Sequence, residues 1–360
     1  MKKTLLALAV AAVATSASAA TVYSNEGTQV GVGGYFDVVL GKFSNDGKGQ
    51  RTDLRNNESR INFTAQQDLG DGFKALGYAR LRFDDFKNGV FETSEAATNT
   101  FGNPVTNRLW LALEKEGVGR VSFGRQDTTG DAVQLNDNAY FLGGNNNLLT
   151  GGKKAVSFRS ADFQIAEGHT LGFGADYVFG EARKDQAPVG LKNGYGVSAF
   201  YGADFSGVTL NVNAGYTVEK YDNTYTESNE KLNYANPKKS WRLATQLGLG
   251  DAKFGVEYGQ SHAKNLAATE KSRHLLVATE YQVLPVSKVF AQWQRNATKG
   301  LTGAYDKELQ NVYIVGADYE FSKNVVSYVQ FAQERKTEAK GTDRTKTKDN
   351  RYGVGLRVYF

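Results

Sequence analysis

The 360-residue chain has no cysteine, one methionine, four prolines and three histidines. Without cysteine there is neither a disulfide framework nor a thiolate metal site, so closure of a large hydrogen-bonded structure has to hold the chain together. His169, His262 and His274 stand too far apart for a His-x-x-x-His metal pair, and we read them as surface residues at a turn end, in a loop and at the outer end of a strand. No Gly-x-Ser-x-Gly, Gly-x-Gly-x-x-Gly or phosphate-loop pattern occurs, so nothing local supports nucleophilic catalysis or nucleotide binding. We expect no catalytic residue, metal or cofactor. A formal charge of +5 is small and dispersed, which argues against a nucleic-acid partner. Long apolar runs are also missing. Beyond the first residues none approaches the roughly 20 a spanning helix needs, and the mean hydropathy of −0.47 is too polar for a helical membrane protein.

What is present begins with a leader. Lys2 and Lys3 precede an apolar run over 5–14 and the small-residue site Ala17-Ser18-Ala19, the order of a secretory signal peptide. We expect residues 1–19 to be removed and 20–360 to fold as one unit. That unit is rich in glycine (40) and in phenylalanine and tyrosine (21 and 19).

Period-2 patterning organises the rest. At the end of the chain Tyr352, Val354, Leu356, Val358 and Phe360 alternate with Arg351, Gly353, Gly355, Arg357 and Tyr359, one apolar face against one polar or small face. Similar runs lie over 28–43, 59–69, 73–84, 106–114, 120–126, 153–160, 170–179, 194–205, 209–219, 240–249, 252–261, 273–283, 288–296, 309–321, 325–335 and 350–360. Their number, about 16, is even. Connections at 70–72, 206–208, 250–251 and 322–324 are tight, whereas 86–104, 220–239 and 336–349 read as long polar loops. Short turns on one side and long loops on the other suit a barrel inserted from the periplasm. The prolines, Pro104, Pro188, Pro237 and Pro285, all fall between strands. Aromatics near strand ends, including Phe83, Trp110, Tyr216, Trp241 and Trp293, suit two interfacial girdles. The fold expected is all-β: a 16-stranded antiparallel transmembrane β-barrel.

Strand parity assigns the opposite face to the lumen. It carries Arg60, Asn62, Lys74, Tyr78, Arg80, Arg82, Asn213, Thr217, Arg242, Gln246 and Glu257, with Lys153 and Arg159 as further basic candidates. Such a lining calls for water, and a barrel of this size leaves an aqueous channel. Paired glycines such as Gly172-Gly174 and Gly353-Gly355 lie on this inward face as packing sites. One stretch, 127–151, breaks the pattern. It holds Asp127, Asp131 and Asp137, then Tyr140-Phe141-Leu142 and Gly143-Gly144. An aromatic cluster in a polar loop needs burial, so we expect this loop to fold into the lumen and narrow it.

Together these features resemble the general diffusion porins of Gram-negative bacteria, particularly the Haemophilus and Pasteurella group. The markers are Ala20-Thr21-Val22-Tyr23 leading to Glu26-Gly27-Thr28, Ser59-Arg60-Ile61-Asn62-Phe63, Val121-Ser122-Phe123-Gly124-Arg125, Gly143-Gly144 and the terminal Tyr359-Phe360. The resemblance implies a homotrimer in the outer membrane, passing small hydrophilic solutes and ions, with the third external loop facing basic wall residues across a constriction. It implies Arg60 and Arg125 as wall arginines, Lys153 near the place of another, Asp137 as a loop acid, and Phe360 as the residue presented to the barrel-assembly machinery. Relatives with a Pro-Glu-Phe-Gly-Gly run carry a second acid where this chain has Phe141. The basic stretch 336–348 reads as a solvated loop or, more sharply, as a contact to lipopolysaccharide phosphates. Two other readings are a substrate-specific or surface-attachment barrel, and an outer-membrane hydrolase. An aromatic track down the lumen would favour a specific channel, and a Ser–His pair at the outer rim an enzyme.

Overall fold

The computed structural model describes residues 20–43, 52–83, 101–180, 191–221, 237–264, 269–301 and 305–360. The first strands are β1 (Ala20–Asn25), β2 (Thr28–Lys42), β3 (Asp53–Asn56), β4 (Arg60–Gly70), β5 (Phe73–Arg82), β6 (Val105–Lys115) and β7 (Gly119–Asp127). After the long loop come β8 (Gly151–Ser160), β9 (Phe163–Ala166), β10 (His169–Phe179), β11 (Leu191–Asp204), β12 (Val208–Tyr221) and β13 (Lys238–Leu249). The last are β14 (Ala252–Lys264), β15 (Thr269–Leu284), β16 (Ser287–Lys299), β17 (Lys307–Ser322), β18 (Val325–Lys340) and β19 (Asp343–Tyr359).

These 19 segments make a closed antiparallel wall of 16 positions, because three positions are each built from two pieces. β3 and β4 lie in line along one edge of β2, separated at Glu58, whose φ of 64° bends the chain. β8 and β9 lie in line along β10. The third composite position is the closure itself. β19 pairs with Tyr35–Lys42 of β2. β1 takes the same edge below it, pairing with Thr28 to Val32. Between them Gly34 and Phe360 exchange backbone hydrogen bonds of 3.0 and 3.2 Å. Chain start and chain end thus share one strand position, leaving no open edge for lipid to meet.

The wall is turned inside out relative to a soluble protein. On β6, Leu109, Leu111 and Leu113 are exposed, whereas Asn107, Arg108 and Ala112 are buried. The same alternation places Val354, Leu356 and Val358 outside and Gly353, Gly355 and Arg357 inside. An apolar belt facing outward is stable only against hydrocarbon. The expected strands are all present, and the short turns lie at the expected places. Among the described residues no helix is long and apolar enough to cross a membrane.

Four expectations are corrected. The stretch 336–349 is not a loop: β18 and β19 remain paired up to Lys340 and Asp343, with Gly341 at φ 58° in the turn. Alternating Thr and charged residues continue the ladder, which polarity alone concealed. Trp110 is not in a girdle. It faces inward, stacked on Tyr78 with ring centroids 5.2 Å apart, since its neighbours Leu109 and Leu111 take the lipid face. His262 lies within β14 rather than in a loop. His274 is on β15 and half-buried, its Nδ1 3.1 Å from Asn296 Oδ1. Most of 86–104 and of 220–239, with Pro188, lies outside the described residues.

Candidate functional site

Between β7 and β8 the chain leaves the wall over 128–150 and runs inside the barrel. Its only regular element is a single 3-10 turn, Asp131–Val133, so side chains on the wall must satisfy its backbone. Asp176 accepts the Thr129 N–H at 3.0 Å, and Asn213 Nδ2 donates to the Ala132 carbonyl at 3.0 Å. Glu257 then accepts the N–H groups of Leu135 and Asn136 at 2.8 and 2.7 Å and the Asn136 side-chain amide at 3.0 Å. Arg242 binds the same carboxylate through Nε at 2.7 Å and reaches the returning limb, donating to the Asn145 carbonyl at 3.0 Å and side-chain oxygen at 2.8 Å. One buried ion pair therefore holds both limbs of the loop.

This corrects the expectation of a wetted lining at Arg242 and Glu257, which the loop covers completely. Their alternation with lipid-facing Trp241, Leu243 and Val256 is the same as for a wetted residue, so parity cannot distinguish a bathed face from a covered one.

The loop's tip is seated on the far wall. Tyr140 stacks on Tyr328 with centroids 4.1 Å apart and planes 6° off parallel. Its hydroxyl donates to Asp318 at 2.6 Å. Phe141 is buried with Val39, Phe43 and Tyr328, and Gln330 Oε1 accepts the Tyr140 N–H at 2.9 Å. The apolar cluster does pack against protein, as expected. Phe141 is largely taken up by this packing, 8% exposed at the edge of the cavity that Asp137 and Arg82 line. Behind the seat Asp37 accepts from Tyr328 at 2.7 Å, from Asn57 at 3.0 Å and from Arg357 Nε at 2.8 Å.

Gly143 and Gly144 fold around Asp137. A Cβ on Gly143 would lie 2.2 Å from Asp137 Oδ1, and Gly144 adopts φ +80°. Gln292 Nε2 donates to the same Oδ1 at 3.1 Å. Asp137 keeps an exposed surface and shares with Arg82 a cavity of about 390 Å³, also lined by Asn57, Glu58 and Arg357. Asp131 is likewise exposed. The enclosing protein and then the neighbouring Asp127 carboxylate push its carboxyl up to about 7, opposed by Arg108 and Arg80.

The wall from β4 to β6 carries the arginines. Arg82 pairs with Glu58 at 3.3 Å, and Arg60 lies 3.9 Å from the same residue with its guanidinium 4.4 Å above the Tyr35 ring. Arg80 Nε donates to Asn62 and to the Tyr78 hydroxyl at 3.0 and 2.9 Å. Arg108, which the sequence reading omitted, pairs with Asp127 at the root of the loop. Arg357, also omitted, extends the basic surface beside Tyr140. Arg159 faces inward but is held by Asp162 at 2.7 Å and by the Phe200 ring, beneath Val133 and Leu148 of the loop and apart from Asp137.

Two basic candidates fall elsewhere. Arg125 pairs with Leu109 on the strand face that exposes Leu111 and Phe123 to lipid, and its Nη1 donates to the Thr106 carbonyl at 2.6 Å. It is an outward residue. At Lys153 the register slips opposite Gly124 to Gln126, so parity assigns its side chain to neither face.

A sequence signal for the loop's seat did exist in the inward glycines. A Cβ on Gly174 would meet Thr129, on Gly215 Leu148 and Val133, on Gly255 Asn136, and on Gly353 Phe141. These glycines trace the path of the loop along the wall.

A model of the Gram-negative porin family matches residues 5–339. The chain is 39% identical over 373 residues to a major outer membrane protein of Pasteurella multocida, covering 100% of each. Its fold is similar to that of Salmonella typhi OmpF in complex with daunomycin, with a TM-score of 0.70 and 16% identity over 94% of this chain and 99% of that one. It is also similar to an anion-selective porin from Comamonas acidovorans, with a TM-score of 0.66 and 18% identity over 92% and 100%. At those identities the likeness to the two solved structures is one of fold.

Proposed function

The chain belongs to the Gram-negative porin family, and from that premise we propose that it is an outer-membrane channel in which a transverse field at the inward loop governs passive diffusion of small hydrophilic solutes and ions. The observation that carries this is the loop itself: it runs inside a closed barrel, where Asp137 shares a cavity with Arg82 and Asp131 feels the charges of Arg108 and Arg80. Charges facing each other across a narrow passage act on an ion more strongly than surface charges, because screening by salt is weaker there. Several wall arginines are already paired, Arg108 with Asp127 and Arg82 with Glu58, which moderates the basic side of the field.

The reading extends to the assembly: a homotrimer exported by cleavage after Ala19, closed by the barrel-assembly machinery through Phe360, and embedded among outer-membrane lipid and lipopolysaccharide. Catalysis plays no part in it. Planar-bilayer recording of the purified protein tests channel and trimer together. Three equal conductance steps per insertion are expected. Absence of conductance would overturn the channel, and single independent steps the trimer. The specific-channel reading draws on one feature, the Tyr78–Trp110 stack on the lumen wall, which is too short to form a track.

A further inference from the structure

Between the root of the loop and the tight turn at 116–118, the lumen wall carries a basic element that the constriction does not use. The rings of Tyr78 and Trp110, cross-strand partners on β5 and β6, stack with centroids 5.2 Å apart and planes 20° from parallel. A guanidinium lies against each ring, Arg80 5.5 Å from the Tyr78 centroid and Arg120 5.3 Å from the Trp110 centroid. Arg80 belongs to the wall beside the loop, and its Nε is spent on Asn62 and the Tyr78 hydroxyl. Arg120 starts lower, opposite Glu114, and reaches up along the wall. The inward row between it and Trp110 is filled by Ala112 and Ser122, both small and both buried. Trp110 itself stands opposite Gly124, where a Cβ would lie 2.9 Å from the Trp110 Cα. The indole and the guanidinium therefore share a space that small residues leave for them.

Structural arginines are consumed by carbonyls or carboxylates, as Arg125 is by Thr106 and Arg159 by Asp162. Among the described residues the Arg120 guanidinium makes no hydrogen bond and no ion pair, and its nitrogens stay open to water. Glu114 does not cancel it, because in register that one acid stands between two bases, Lys74 and Arg120. On its other side Arg120 faces Arg159. A guanidinium laid on an aromatic face gives up little further freedom on binding, and its edge presents parallel N–H groups to two coplanar oxygens.

We propose that Arg120, backed by Trp110, is a binding subsite for the carboxylate or phosphate group of a small solute, on the tight-turn side of the loop. The inference rests on the channel reading above, since only a water-filled lumen brings solute anions to this wall. Chloride has a single centre and cannot use the fork, so the subsite distinguishes oxyanions from simple halides of the same charge.

The test uses the full chain with Trp241→Phe and Trp293→Phe, which leaves Trp110 as its one indole. Its fluorescence is titrated with acetate and with inorganic phosphate, against chloride at equal ionic strength. A saturable change is expected with an oxyanion and none with chloride, and the oxyanion that saturates at the lower concentration identifies the preferred group. Arg120→Gln should weaken that binding by about tenfold or more, the factor carried by one charge-assisted hydrogen bond. Arg120→Lys keeps the charge but has no fork, so it should also bind more weakly than the parent; it gives the reading should the glutamine variant fail to fold. Arg125→Gln, on the lipid side, should match the parent. A chloride response equal to that of the oxyanions, no response in the parent, or an unchanged titration in the Arg120 variants would overturn the inference. Conductance is recorded on the same preparations. A protein that conducts without an oxyanion response refutes this inference alone, and one that binds oxyanions through Arg120 without conducting refutes the channel.

Discussion

Replacing Glu257 with alanine removes the carboxylate that two loop N–H groups and the Asn136 amide share with Arg242. The guanidinium stays buried and keeps only neutral oxygens of Asn145 and Asn147 as partners. Breaking one side of a buried ion pair costs about 3–5 kcal/mol. At about 1.4 kcal/mol per factor of ten, that shifts the balance between seated and released loop by roughly two to three and a half orders of magnitude. The wall should survive, since its strands are held by ladder bonds that the substitution does not touch. Single-channel recording should then show larger and noisier openings with normal heat-modifiable barrel. Because the chain has no cysteine, Asn138→Cys can be labelled cleanly, and its rate should rise in the Glu257→Ala background. Removing Arg242 as well, as Arg242→Leu with Glu257→Leu, eliminates the unpaired charge and should recover part of the loss. Unchanged noise, conductance and labelling in Glu257→Ala would refute the reasoning that this pair holds the loop.

Arg80→Glu should move the zero-current potential in a salt gradient toward cations, whereas Arg125→Glu should leave it in place; a shift with Arg125 would contradict its outward assignment. Phe141→Glu buries a carboxylate among Val39, Phe43 and Tyr328 and is expected to unseat the tip, seen as increased noise, rather than to add an acid to the passage; a quiet, more cation-preferring channel would show the opposite. Acidification from pH 8 to pH 6 passes the Asp131 value of about 7, so the constriction loses negative charge and cation preference should fall, with Asp131→Asn removing that change. Deleting Phe360 removes its stacking on Phe36, 5.2 Å away, and its backbone bonds with Gly34; less heat-modifiable barrel is expected with export intact, and normal barrel levels would count against it.

Much of this was legible beforehand. Lipid meets every second residue of a strand, so the alternation at Tyr352 to Phe360 or along 106–114 carries the wall in local sequence, and the tight turns identify the rim. The inward loop announced itself by its aromatic cluster in polar surroundings. What stayed hidden was which residues the loop meets. Arg242 and Glu257 sit at inward positions like any wetted pair, and only contact with residues 95 to 122 positions away makes them a clamp. Phe141 could have faced the passage or the wall, and the space left by Gly353 beside Val39 decides for the wall. Arg125 has the charge of a lumen residue at a position whose parity points to lipid, a distinction that needed the register against Leu109. Strand patterning is a one-dimensional record of which medium each side chain meets. The seat of the loop depends on which wall strands stand opposite one another once the sheet has closed.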